Sequence, residues 1–183
     1  MKSEIVDSNV VLVANGQHQD VARASVAVCA QRLKAIMDGK SLVVDTGLLI
    51  LGEYGNKTVP NTGNRPGDAF VKWALQNYRN ANRVHRTELT AHPDRVFETF
   101  PDDPDLARFD DPDRKFVAVA CAHGASPHIL QAADTKWLGW NEALQWHGVV
   151  VESICRKDIA RFQAQKAKAA PARAKPHRKG RTA

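Results

Sequence analysis

Four short apolar runs, Glu4 to Val6, Ser41 to Val44, Ile129 to Ala133 and Val149 to Ile154, are separated by long segments of helical period. That alternation constrains the fold more than any other feature. Strands so far apart in the chain cannot be joined by tight hairpin turns, so they pair in parallel through crossover helices. Between the first two runs Ala22, Val26, Cys29, Leu33 and Ile36 recur at spacings of four, three, four and three, one apolar stripe on a helix closed by Asp38-Gly39. Phe70, Ala74 and Tyr78, flanked by Val71 and Leu75, repeat the pattern after Pro66-Gly67. Helices are also predicted from Pro112 to His123 and from Thr135 to His147, the second ending on Gly148. The consecutive valines from Val149 predict a strand covered on both faces. The βαβα order predicts an α/β sandwich around a mainly parallel sheet. Two stretches read as loops, Asn56 to Asp68, rich in Gly and Pro, and Ala91 to Asp110, rich in acids and Pro.

A chain of 183 residues, 43% hydrophobic, is long enough to bury a core without disulfides or a structural metal. Cys29, Cys121 and Cys155 are far apart and never in C-x-x-C spacing, which supports neither a disulfide framework nor a zinc finger and predicts a reducing, cytoplasmic compartment. The N-terminal residues are too polar for a signal peptide, and no apolar run has the length of a membrane span, so no membrane partner is expected. Charge divides the chain. From Met1 to Ala160, 18 Lys and Arg face all 20 Asp and Glu, a net −2, whereas Arg161 to Ala183 carries 8 basic residues and no acid. The expected organisation is one domain over residues 1–156, then a helix end and a basic, mobile tail over 157–183. An acidic body with a basic arm points to a polyanionic partner.

Sites in open parallel sheets form at the carboxyl ends of strands, so polar residues just after apolar runs are the candidates. Asp7 follows the first run and opens Asp7-Ser8-Asn9, Asp45 follows the second, and Asp134 follows the third and opens Asp134-Thr135-Lys136-Trp137. Asp113 sits in the first turn of the helix before that third run, and Glu53 on a short helix after the second. Singly, Asp7, Asp111 and Asp134 are good helix N-caps, and Asp113 suits a helix dipole. Together, carboxylates gathered on one rim repel one another unless a hard cation joins them, which makes Mg2+ or Mn2+ the expected cofactor.

Asp7-Ser8-Asn9, Glu53-Tyr54, the run from Asp113 to Ala120, and Ala133-Asp134-Thr135-Lys136-Trp137 followed by a helix, Gly148 and a valine strand together resemble the PIN domain of Mg2+-dependent ribonucleases over about Met1 to Cys155. The resemblance implies a three-layer α/β/α sandwich and an endoribonuclease, a toxin or defence-type RNase among the roles it admits. It implies that Asp7, Glu53, Asp113 and Asp134 hold the metal and carry catalysis, with Asn9 and Thr135 as polar neighbours. Arg114 and Lys136 are candidates to position a phosphate, and each is equally suited to an ion pair with a neighbouring acid. Asp45 is the reserve ligand. RNA is the expected partner ahead of DNA, and an inhibitor or antitoxin protein and a homo-oligomer are further partners the resemblance admits. Where some members carry another acid two residues after the fourth, this chain has Lys136, which predicts a second metal that binds weakly or only with substrate.

Other chemistries lack their sequence warrants. There is no G-x-S-x-G elbow, no phosphate-binding G-x-x-x-x-G-K-[ST] and no G-x-G-x-x-G after a strand. Phosphoaspartate enzymes also place an Asp after the first strand, but with further acids beside it where this chain has Ser8-Asn9. The four tryptophans, Trp73, Trp137, Trp140 and Trp146, read as core or interface, and His123, His128 and His147 as packing or surface. The rival of another class is a non-catalytic RNA- or protein-binding module that uses the basic tail.

Overall fold

A computed structural model describes residues 3–169. In chain order the elements are β1 (Ser3–Val6), α1 (Ser8–Ala14), α2 (Arg23–Gly39), β2 (Ser41–Asp45), α3 (Leu49–Lys57), α4 (Pro66–Asn77), β3 (Val84–Thr87), β4 (Ala91–His92), β5 (Val96–Phe97), α5 (Arg114–Ala122), β6 (His128–Gln131), α6 (Asn141–Trp146), β7 (Val151–Ser153) and α7 (Arg156–Ala169). Five strands make one parallel sheet in the order β3-β2-β1-β6-β7, and β4 pairs with β5 in a separate antiparallel ribbon. With its crossover helices this is a three-layer α/β architecture. Ile5 and Val6 face Ile129 and Leu130 across the β1–β6 pairing, and all four are fully buried.

The register places the site. The chain runs from β1 outward through β2 to β3, then returns to build β6 and β7 on the other side of β1. The direction of winding therefore reverses between β1 and β6, and a crevice opens at the carboxyl ends of strands flanking such a switch point. Asp7 follows β1, and its amide continues the ladder by donating to Leu130 O at 2.9 Å.

The predicted helices over Ala22 to Ile36 and after Pro66-Gly67 form as α2 and α4, burying Cys29, Leu33 and Ile36, and Phe70, Val71 and Ala74. Other expectations need correction. The helix predicted from Pro112 opens with a 3-10 turn at Asp111–Asp113 before α5, and the one predicted from Thr135 is a 3-10 segment, Lys136–Trp140, followed by a short α6. The valine run is not a central strand: β7 is an edge strand of three half-buried residues. Val149 is spent earlier, its amide closing the turn after α6 on Leu144 O, where Gly148 takes a left-handed φ of 74°.

The stretch Ala91 to Asp110 is more ordered than a loop. It contains the β4–β5 ribbon and a 3-10 turn at Pro104–Leu106, and it buries Phe97, Phe100, Leu106 and Phe109. Phe109 meets Trp137 and Trp140 edge-on, with ring centroids 5.1 and 4.9 Å away. Trp146, in contrast, is 86% exposed. The three cysteines are free, yet the buried Cys29 and Cys155, distant in sequence, touch with sulfurs 3.5 Å apart.

The tail assigned as mobile from Arg161 is helical as far as Ala169. Ile159 is buried, Phe162 packs against the core, and the Asp158 carboxylate accepts the Ala22 amide at 3.2 Å while pairing with Arg161 at 2.6 Å. These contacts and the Ala-rich composition outweigh the low apolar content that suggested disorder. Residues 170–183, the rest of the predicted tail, lie outside the described residues. Among the described residues no helix is long and apolar enough to cross a membrane.

Candidate acidic site

Asp7 is held from both sides. Its carboxylate caps α1 by accepting the Asn9 amide at 3.0 Å, and its own backbone is tied to β6. Only 5% of the residue is exposed. Burial is the main reason its pKa is pushed up to about 7; the Asn9 hydrogen bond opposes this, and the negative charges of Asp113, Asp134 and Glu53 add to it. Asp113, half-buried at the start of α5, is pushed up to about 6, first by burial and then by Asp134, Glu53 and Asp110, with Lys115 pulling the other way. The four sequence-selected acids therefore lie close enough for Asp7 to feel the other three.

Glu53 differs because it has cations of its own. Burial works upward on it, yet Lys115, Lys57 and the Ser8 hydroxyl together hold it below its ordinary range. Lys57 pairs with Oε1 at 2.6 Å across one helical turn, Ser8 donates to the same oxygen, and Lys115 pairs with Oε2. Next to Glu53 on α3, the buried Tyr54 donates its hydroxyl to Val6 O, the last carbonyl of β1. Burial, followed by the charges of Asp7, Glu53 and Asp45, raises the Tyr54 pKa well above its usual value, so the phenol stays a donor. This bond locks α3, and with it Glu53, to the strand that carries Asp7.

Asp134 closes the rim from β6. Its Oδ1 accepts the Lys136 amide at 2.9 Å, and Gln131 Nε2 donates to its carbonyl at 2.9 Å. Asn9 reaches across to this segment, its Oδ1 accepting the Ala133 amide at 3.4 Å. Thr135 is half-buried and lines a shallow hollow together with Asn9 and Asp134.

The two basic candidates divide. Lys136 is exposed and paired with Asp110 at 2.7 Å, and that bond first, then the charges of Asp110, Asp134 and Asp113, raises its pKa. Arg114 is buried and belongs to the packing of the preceding connection rather than to the acid cluster. It donates to Phe109 O and Ala107 O, pairs with Asp111 at 2.9 Å and covers the Phe100 ring at 4.7 Å. The cation that enters the cluster is its neighbour, Lys115. Sequence reasoning missed Lys115, since nothing in adjacent basic residues says which one turns inward. It also missed Lys57, which the i,i+4 spacing from Glu53 could have revealed.

Asp45, the reserve ligand, is a cap. Its two oxygens accept the Leu49 and Ile50 amides at 2.8 and 2.9 Å, the first turn of α3. His123 stacks on His85, and His147 pairs with Asp103, so neither joins the acids.

Side-chain oxygens of Asp7, Asp113, Asp134 and Glu53, with no thiolate or imidazole, are the donors a hard divalent cation takes. Among the described residues no three His, Cys, Asp or Glu side chains close into a ready ligand cage. Mg2+ keeps several waters and is commonly bound through one or two carboxylates plus substrate phosphate, without a full protein cage. The buried carboxyl of Asp7, crowded by three other acids, is the group such an ion would neutralise. Comparison with family models, curated proteins and solved structures found no match.

Proposed function

We propose that this chain is a metal-dependent endoribonuclease of PIN type, hydrolysing RNA phosphodiester bonds at the rim formed by Asp7, Glu53, Asp113 and Asp134. The observation that carries the reading is the placement of mutually repelling carboxylates from β1, α5 and the β6 end around one sheet switch point, with Asp7 pushed up to about 7 and Asp113 to about 6. Capping accounts for Asp7 and Asp134 singly, whereas their gathering with Asp113 and Glu53 is what a phosphate-cleaving site would use.

A bound Mg2+ or Mn2+ would supply Lewis-acid stabilisation of the phosphoryl oxygens and a water of lowered pKa. Asp7 and Asp134 are its best-placed anchors, one on each side of the switch point, with Asp113 adjoining. Glu53 stays ionised through Lys115 and Lys57, which suits it to orient a water by accepting its hydrogen bond and makes it a weak proton acceptor. Asn9 and Thr135 offer polar groups to the sugar and phosphate beside the scissile bond. Lys136 can exchange its exposed pairing with Asp110 for a substrate phosphate at little cost.

The engagement of Glu53 by two lysines gives the second reading its support: a non-catalytic module that holds RNA without cutting it. One experiment separates them. Purified protein is incubated with labelled single-stranded RNA, structured RNA and DNA, each with Mg2+, Mn2+ or chelator, beside Asp134→Asn. Metal-dependent RNA cleavage that Asp134→Asn abolishes establishes the nuclease. RNA binding without cleavage in any metal leaves the binding module.

A further inference from the structure

A shallow hollow of about 320 Å³ that begins at Asp134 has a second wall made by His18 and Phe162, with Ala133 and the exposed Asp20 completing its lining. We propose that these two rings form a nucleobase-stacking subsite beside the scissile phosphate, so that the chain takes its substrate with at least one base unpaired and unstacked. The proposal rests on the nucleic-acid reading of the acidic rim.

The two walls carry different chemistry. Asn9, Asp134 and Thr135 on one side belong to the acidic rim. On the other side His18, from the turn after α1, and Phe162, from α7, lie with ring planes 24° apart and centroids separated by 6.2 Å. Both residues are only partly buried and both line the hollow, so part of each ring's surface stays open to it. Among the described residues the His18 side chain makes no hydrogen bond, and its Nδ1 is buried without a partner. Stacking, rather than a polar tether, therefore sets the plane of that ring. The Arg161 guanidinium lies 5.1 Å from the Phe162 centroid, adding a planar cation to the same group.

Flat π surface next to a phosphate-cleaving rim is what an unpaired base occupies, because every base has a π face whatever its sequence. A base inside a duplex has both faces covered and cannot use such a wall. The hollow's volume falls within the roughly 300–1,000 Å³ of small-ligand pockets. The arrangement also gives the docking of α7 a purpose: it brings Phe162 across to His18, and the cluster borders Asn9 of α1.

The test uses the full chain with Ca2+ in place of Mg2+ to slow hydrolysis, and a short dye-labelled RNA strand, the same strand with one abasic position, and the matching duplex. Equilibrium binding is followed by anisotropy for the wild type, His18→Leu and Phe162→Leu, which keep apolar volume but lose the rings, and Phe162→Trp, which keeps a ring. Circular dichroism and Tm verify folding. Each Leu variant is expected to weaken binding of the intact strand by roughly 5- to 100-fold, to lose the preference for intact over abasic RNA, and to bind duplex as the wild type does, whereas Phe162→Trp retains the preference. Equal affinity of wild type and folded Leu variants for the intact strand, or a wild type indifferent to the abasic position, overturns the subsite. A wild type that cleaves RNA with Mg2+ yet gives those results keeps the nuclease and loses the subsite. A wild type that cuts nothing, but discriminates intact from abasic strands through these rings, keeps the subsite and loses the nuclease.

Discussion

Asp7 combines three roles in one side chain: a cap for α1, a buried charge and a member of an acid cluster. Its carboxyl titrates near 3.8 when unperturbed and at about 7 in the fold. The folded chain therefore holds this proton more tightly than the unfolded chain, so the fold is favoured below about pH 4, loses stability as pH rises toward 7, and bears the full cost above it. Asp7→Asn keeps a capping oxygen and removes the charge. It is expected to abolish metal-dependent cleavage and, in chelator, to stabilise the protein by on the order of 2–4 kcal/mol at pH 8, with little effect at pH 4. Thermal unfolding of both proteins across that range is the measurement, and a pH-independent difference would contradict the assignment. Asp7, Asp113 and Asp134 were legible in sequence as candidates because each stands at an element end, whereas Glu53, in the middle of α3, was assigned to the site through the resemblance. The cations were not legible. Arg114 and Lys115 are consecutive at the start of α5, so they point about 100° apart, and the packing around the helix decides that one meets Phe100 and the other Glu53.

At the scale of elements, the joint between α1 and α4 holds the helix layer in place. Asn15 Oδ1 accepts the Gly67 amide at 2.7 Å, and its Nδ2 donates to Asp68 Oδ1 at 2.9 Å. The approach leaves no room for a side chain, since a Cβ on Gly67 would lie 2.4 Å from Val11 O. Gly67→Ala is therefore expected to cost about 1–3 kcal/mol through backbone displacement, read as a lower midpoint in urea unfolding with the slope unchanged. Asp45 acts on α3 in a similar way. Asp45→Asn replaces one of two accepting oxygens by an amide that faces a backbone N–H, and a loss of about 1–2 kcal/mol follows. Cleavage per folded molecule should persist, because Asp45 caps rather than holds metal; loss of cleavage in a folded Asp45→Asn protein would return it to the ligand set. Helices with a clear apolar stripe, α2 and α4, were readable to within a few residues. β3 was not, because Val-His-Arg-Thr has the composition of a loop and only Val84 and Thr87 are buried. Nor was the ordered stretch between β3 and α5, where aromatic contacts distant in sequence outweigh the local abundance of acids and prolines.

For the whole molecule, charge and topology govern behaviour. Because α7 is docked through Asp158, Ile159 and Phe162, a truncation that tests the basic arm should end at Ala169 rather than within the helix. Removing residues 170–183 deletes Arg173, Lys175, Arg178, Lys179 and Arg181, taking the net charge from +6 to +1. RNA affinity is expected to fall and its salt dependence to flatten, by roughly 0.7 in log–log slope for each phosphate no longer neutralised, while kcat at saturating RNA stays within about twofold. Equal slopes for the two proteins would make the arm a spacer. The alternation of apolar runs foretold a parallel sheet, but the order of its strands, on which the site depends, follows from pairings that no local pattern encodes. That order has a consequence in time. The central strand draws one of its two neighbours from residues 41–45 and the other only from residues 128–131. Until that distant partner has paired, Asp7 has no Asp134 across from it and no buried crevice to sit in. The acidic rim therefore closes only when residues 3–6 and 128–131 have met, which makes it a late, long-range event in folding.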